Sequence, residues 1–152
     1  MNNVRLPKIL ASTGTFIGRA NGRDYRLIPQ IAENTVCDGF ELMLLEDWSE
    51  RLPAVCDFLL ASGFLPETVH LEKNIGVLLS AGTEKCAREA LEIYRRDMEA
   101  AARFGARLVV LHFWGGRLSD YHIDKNLPLI PLFYDIAAQY GILLTIENIP
   151  CV

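Results

Sequence analysis

The sequence predicts an α/β protein built around a parallel sheet, and three observations lead there. Short apolar runs alternate with longer amphipathic stretches along the 152 residues, which is the pattern of repeated βα units. The runs RLVVLHF and ILLTIEN are almost continuously apolar, as strands covered on both faces are. Three runs, ETVHL, RLVVLHF and ILLTIEN, also carry a side chain able to bind a divalent metal, His70, His112 and Glu147, at or near their carboxyl ends. In open and closed α/β sheets alike, sites form where parallel strands end.

The elements follow in order. A first strand is expected over residues 8–12 and a first helix over 24–34. Residues 39–45, GFELMLL, read as a second strand. The next helix runs over 49–61, with Ser49 as N-cap, Pro53 tolerated near the first turn and Gly63 as stop signal. A third strand covers 67–72. The longest helix spans 83–104, where Ala87, Leu91, Tyr94, Met98 and Ala102 recur at three- and four-residue intervals and define one face to bury. Gly105 closes it. The fourth strand covers 107–113, followed by the glycine-containing loop WGGRLSDYHIDKN, a helix over 129–140 ended by Gly141, and a fifth strand over 142–147.

Five strands and four helices in alternation fit two architectures. A flavodoxin-like doubly wound sheet suits the length but normally closes with a fifth helix. A (β/α)8 barrel takes about 250 residues, so this chain would supply its first five strands. Residues 1–152 are read as a single domain, with 51% hydrophobic content and no interdomain linker.

Composition narrows the function classes. A net charge of −4 and a pI near 5.4 give no overall basic footprint for nucleic acid or acidic membranes. Cys37, Cys56, Cys86 and Cys151 form no CxxC pair and read as reduced structural thiols. No secretory signal is apparent at the amino terminus, and no run of about 18 apolar residues is present to span a bilayer. The expectation is a cytoplasmic protein. No GxSxG elbow, P-loop or GxGxxG after a strand is present, so serine hydrolase and Walker-type nucleotide chemistry find no support.

The candidate site residues each have a plainer reading. Glu147 emerges where a buried strand meets a loop, and a carboxylate there is paired, capping backbone N–H groups, or bound to metal. His112 after VVL, and His70 after TV, are either satisfied core histidines or ligands. Their recurrence at equivalent positions of successive units favours one shared site. Glu41 interrupts the second strand and is a fourth candidate. Imidazole and carboxylate together suit Zn²⁺, Mn²⁺ or Fe²⁺ better than an all-oxygen magnesium site. His122, in a polar loop with Asp120 and Asp124, reads as exposed. Trp114 with Gly115 and Gly116 suggests a substrate wall beside a loop, or simple packing at a turn. Lys73 and Asn74 suit an anionic substrate or plain solvation. Residues 12–16, STGTF, are too generic for a phosphate cradle, and Cys151 reads as incidental.

Taken together, DGFELML, VHLEKNI, AARFGARLVVLHFWGG and AAQYGILLTIENIP resemble the xylose isomerase-like TIM barrel superfamily. That superfamily includes sugar phosphate isomerases and epimerases and a family of apurinic/apyrimidinic endonucleases. The similarity covers most of the chain and is most specific at residues 104–112 and 141–148. It implies a (β/α)8 barrel with divalent metal at its C-terminal face, here Zn, Mn, Mg or Fe, of which this chain holds about five strands. In the isomerase branch, Glu147 would be a metal ligand and often an acid or base. His112 would line the substrate pocket, with His70, Trp114 and Asn148 beside it. In the endonuclease branch, His70, His112 and Glu147 would all be zinc ligands. Such sites draw further ligands from strands six to eight, which have no counterpart here, so the metal is expected to be incompletely ligated. The resemblance thus implies a metal-dependent isomerase or epimerase acting on a small sugar-like molecule, poorly active as this chain alone and pairing as a homodimer through open sheet edges. The alternatives are a zinc-dependent phosphodiesterase for abasic DNA and a non-catalytic binding fragment.

Overall fold

The computed structural model describes residues 6–116 and 121–147. Five strands form one sheet: β1 (Leu10–Ser12), β2 (Gly39–Met43), β3 (Thr68–His70), β4 (Leu108–His112) and β5 (Leu143–Glu147). All neighbours are parallel, and the spatial order is the chain order, β1-β2-β3-β4-β5. This order is that of the barrel which the family resemblance implied, and not that of the doubly wound sheet which the length also suited. A doubly wound sheet reverses direction at a switch point, whereas a barrel adds each strand on the same side of the last. With right-handed crossovers, consecutive addition puts every connecting helix on one face.

The strands sort their side chains accordingly. Leu42, Val69, Leu71, Val109, Leu111 and Leu144 are buried on the helix-covered face. Their neighbours point to the other face, where the register lines up Ser12, Glu41, Thr68, Leu108 and Leu143 in one row. Met43, His70, Val110 and Thr145 form the next row, and His112 pairs with Glu147 beyond it. The row ends are wet, with Leu143 60% exposed. Among the described residues, β1 and β5 each pair on one side only.

Among the described residues, six α-helices connect the strands: α1 (Ile28–Glu33), α2 (Leu52–Ala61), α3 (Asn74–Ser80), α4 (Glu84–Arg103), α5 (Ile123–Asn126) and α6 (Ile130–Gln139). Two helix expectations need correction. Ser49 is not an N-cap: residues Glu46–Arg51 form a 3-10 turn, and the α-helix starts at Leu52 with Pro53 in its first turn, where a missing N–H costs nothing. The Ser49 hydroxyl donates to Glu72 instead. A helix absent from the expected elements follows β3: Lys73 is the N-cap and Asn74 the first residue of α3, a short apolar helix that packs on α4 and β4.

In α4 the Thr83 hydroxyl accepts from the Cys86 N–H as expected of an N-cap. The buried stripe is rotated relative to the expected one. Ala90, Tyr94, Asp97, Met98 and Ala101 are buried, whereas Ala102 is exposed. The stripe therefore contains a carboxylate. The core gathers around Trp48, Tyr94, Phe113 and Phe133. The Tyr94 hydroxyl donates to the Phe133 carbonyl at 2.8 Å and the Trp48 indole N–H to the Arg23 carbonyl at 2.8 Å, so both large rings bury without orphaning their polar ends. The described thiols Cys37, Cys56 and Cys86 are free. Among the described residues, no helix is long and apolar enough to cross a membrane.

Candidate metal centre

His70, His112 and Glu147 are the last residues of β3, β4 and β5. Strand alternation turns all three to the inner face, and the register brings their tips together. His70 Nε2 lies 3.1 Å from His112 Nε2 and 3.3 Å from Glu147 Oε2, and His112 Nε2 lies 2.9 Å from Glu147 Oε2. The two imidazole rings meet edge to face, 4.7 Å between centroids. Both histidine side chains are largely buried, and Glu147 is half exposed.

The protons can be placed from the partners. His70 Nδ1 is 2.8 Å from the Leu71 carbonyl oxygen, which only accepts, so Nδ1 carries the proton and a neutral His70 presents a lone pair at Nε2. His112 Nε2–H donates to the Glu147 carboxylate. That contact, chiefly, holds the Glu147 carboxyl below its ordinary range. Burial pushes His112 down, outweighing the opposing effect of Glu147. His112 and Glu147 therefore favour a neutral imidazole beside a carboxylate, the charge states in which these groups bind metals.

The spacing also fits an ion. Two donors at roughly 2.1 Å from a metal, about 90–110° apart, are separated by roughly 3.0–3.4 Å. Two of the separations here, 3.1 and 3.3 Å, fall in that range, and the third, the 2.9 Å His112–Glu147 hydrogen bond, lies just below it. His70, His112 and Glu147 each offer one ligand atom, and these atoms all lie within 4.8 Å of one another. Two imidazole nitrogens and one carboxylate oxygen suit Zn²⁺, Mn²⁺ or Fe²⁺.

The remaining candidates fall elsewhere. Glu41 points to the same face but belongs to the row of Ser12 and Thr68, below His70, and is not in the cluster. Trp114 is half buried, packs edge-on against Phe113, and keeps a buried indole N–H without a partner among the described residues. His122 is half buried against Gly82 and precedes α5, which corrects the expectation that it is exposed. Thr13, from the STGTF segment, is buried and its hydroxyl accepts from the Met43 N–H at 2.9 Å, a structural role. Asn148, Asp120 and Cys151 lie outside the described residues.

One group of functional interest escaped the sequence reading. Behind β3, buried Asp97 and Glu72 share the Arg96 guanidinium. The available signal was an aspartate three residues after Tyr94, on the apolar stripe of α4.

No family model matches the sequence, and no curated protein sequence matches it either. Solved structures do. The chain superposes on a D-allulose 3-epimerase from Methylomonas sp., crystallised in complex with D-allulose, with a TM-score of 0.62 and 17% identity over 95% of this chain and 53% of that one. A D-tagatose 3-epimerase-like protein matches with a TM-score of 0.68 and 21% identity over 96% of this chain and 54% of the other. The chain thus spans about half the length of these structures. Its fold, five parallel strands in chain order with helices between them, is shared with about half of each of these structures, in keeping with the partial barrel that the sequence resemblance implied.

Proposed function

We propose that this chain carries the metal-binding half of a sugar isomerase or epimerase site, acting on a small ketose, aldose or related hydroxy-carbonyl compound. The convergence of His70 Nε2, His112 Nε2 and Glu147 Oε2 within 4.8 Å at the strand ends carries the reading. Its support is that the structures sharing this half-barrel include a D-allulose 3-epimerase and a D-tagatose 3-epimerase-like protein.

A divalent ion bound there would polarise a carbonyl and its adjacent hydroxyl, easing proton movement between neighbouring carbons. His70 offers a lone pair already directed by its Nδ1–H···O contact, and His112 adds a second nitrogen once its proton moves off Nε2. Three protein ligands with remaining positions open are the number that catalytic zinc sites keep. Glu147 is proposed as a metal ligand and, with His112, as a candidate acid or base for the proton transfer. Trp114 and Asn148 are proposed to line the substrate side.

The test is direct. Purified protein equilibrated with Zn²⁺ or Mn²⁺ should retain close to one ion per chain, and Glu147→Gln should retain far less. With metal present, D-allulose or D-tagatose incubated in D2O should take up deuterium next to the carbonyl. Protein that holds no ion at millimolar supply would sink the reading in favour of a non-catalytic binding fragment.

A zinc phosphodiesterase is the second reading, because His70 joins His112 and Glu147 as the endonuclease-type resemblance implies. The net charge of −4 stands against it. Tight, salt-sensitive binding to an abasic duplex, with cleavage in Zn²⁺, would select it over the sugar reading.

A further inference from the structure

β3 ends at His70, and its ladder closes one residue later, where the Leu71 N–H donates to the Val110 carbonyl at 2.9 Å. The next peptide unit, joining Leu71 to Glu72, has no strand to pair with. Both of its polar ends are nonetheless engaged. Its carbonyl, on Leu71, accepts from His70 Nδ1 at 2.8 Å, and its N–H, on Glu72, donates to Asp97 Oδ2 at 2.8 Å.

Asp97 is an unusual occupant of its position. It sits in mid α4 with no exposed surface, where an apolar side chain would bury at no electrostatic cost. Its other oxygen, Oδ1, accepts from Arg96 Nε at 3.1 Å and Nη2 at 2.8 Å. The same Nη2 donates to Glu72 Oε2 at 2.7 Å, which also accepts from the Ser49 hydroxyl at 3.0 Å. Asp97 is thus fixed from one side by Arg96 and fixes the Leu71–Glu72 peptide from the other. Metal-binding histidines commonly donate their second ring N–H to a carboxylate or carbonyl, which sets the tautomer and ring orientation. Here a carboxylate and a carbonyl are linked through a single peptide plane.

We propose that Asp97 is a positioning residue for the three-donor cluster: through the Leu71–Glu72 peptide it holds the carbonyl that keeps the His70 proton on Nδ1, leaving Nε2 free towards His112 and Glu147. The relay runs from carboxylate to peptide N–H, and from the same peptide's C=O to the imidazole. Asp97 touches no ligand itself. The inference rests on the proposed metal centre for its purpose, but the tautomer that it fixes is a property of the protein without any ion.

The experiment exploits that separation. Long-range ¹H–¹⁵N correlation spectra of ¹⁵N-histidine protein, taken near pH 8 after removal of metal, should show His70 protonated on Nδ1 alone. Asp97→Asn keeps an amide oxygen for the Glu72 N–H and should preserve that signature. Asp97→Ala should give mixed tautomers and weaken Zn²⁺ binding, measured by chelator competition, by about tenfold or more. A folded Asp97→Ala protein with an unchanged His70 tautomer and unchanged Zn²⁺ affinity would overturn the proposal. If Asp97→Ala does not fold, the wild-type spectrum decides, since His70 protonated on Nε2 contradicts the relay outright. Failure of wild-type protein to bind Zn²⁺ would remove the proposed function while leaving the tautomer result to stand or fall alone.

Discussion

Protonation at the strand ends sets how the candidate centre responds to acid. His112 is pushed below the usual imidazole range by burial, and Glu147 is lowered chiefly by the His112 hydrogen bond. Both shifts favour a neutral His112 and an ionised Glu147 to lower pH than exposed counterparts would allow, and metal binding further requires the His112 proton to leave Nε2. Metal affinity should hold as pH falls to about 6.5, the ordinary imidazole value, and drop only below it; a titration by calorimetry that loses affinity from pH 7.5 downward would contradict this. Asp97 behaves in the opposite sense. Burial pushes its carboxyl up to about 6, and the adjacent Arg96 only partly opposes that. A folded-state value above the unfolded one contributes stability that is present below about pH 4 and is lost as pH rises through about 6, with Arg96 and Glu72 the charged groups facing it. Relative to Asp97→Asn, wild-type protein should thus lose about 2–3 kcal/mol between pH 4 and pH 7, read from urea unfolding at each pH.

Helix α3 positions the end of β4 through one glycine. A Cβ on Gly76 would lie 2.5 Å from the His112 carbonyl oxygen and 2.7 Å from that of Trp114, so the helix rests directly on the backbone that carries a candidate ligand. Gly76→Ala should cost about 1–3 kcal/mol as overpacking does, and should weaken metal binding by displacing His112. Retention of full metal affinity and unfolding midpoint would show that the strand end can shift freely. Most elements were legible beforehand, because long periodic segments such as α4 and continuous apolar runs such as β4 carry strong patterns. The failures have local causes. Helix α3 is short and almost wholly apolar, so it shows no amphipathic period. Ser49 satisfies a generic cap rule, yet Pro53 delays the helix and frees the hydroxyl for Glu72. Three members of the cluster were readable from their strand-end positions, whereas Asp97 acts through a peptide bond 25 residues away from it along the chain.

The whole molecule is a five-stranded parallel sheet with two unpaired edges among its described residues and a wet inner face. Leu143 on β5, 60% exposed, lies on that face at its edge, and such edges invite pairing with another chain. Association that rises with concentration is the expected behaviour in light scattering, and Leu143→Lys should reduce it. A monomer at every concentration, unchanged by that substitution, would show the edges to be inert. Residue order alone carried the α/β class, the strand positions and the identity of the three strand-end donors, since these rest on local periodicity and on side-chain chemistry. Length and element order alone fitted the doubly wound sheet as well as the barrel, which only the family resemblance favoured, and the parity of strand ends could not say which donors share a row. Strand order and register decided both, because they are contacts between segments tens of residues apart and are set only when the whole sheet assembles.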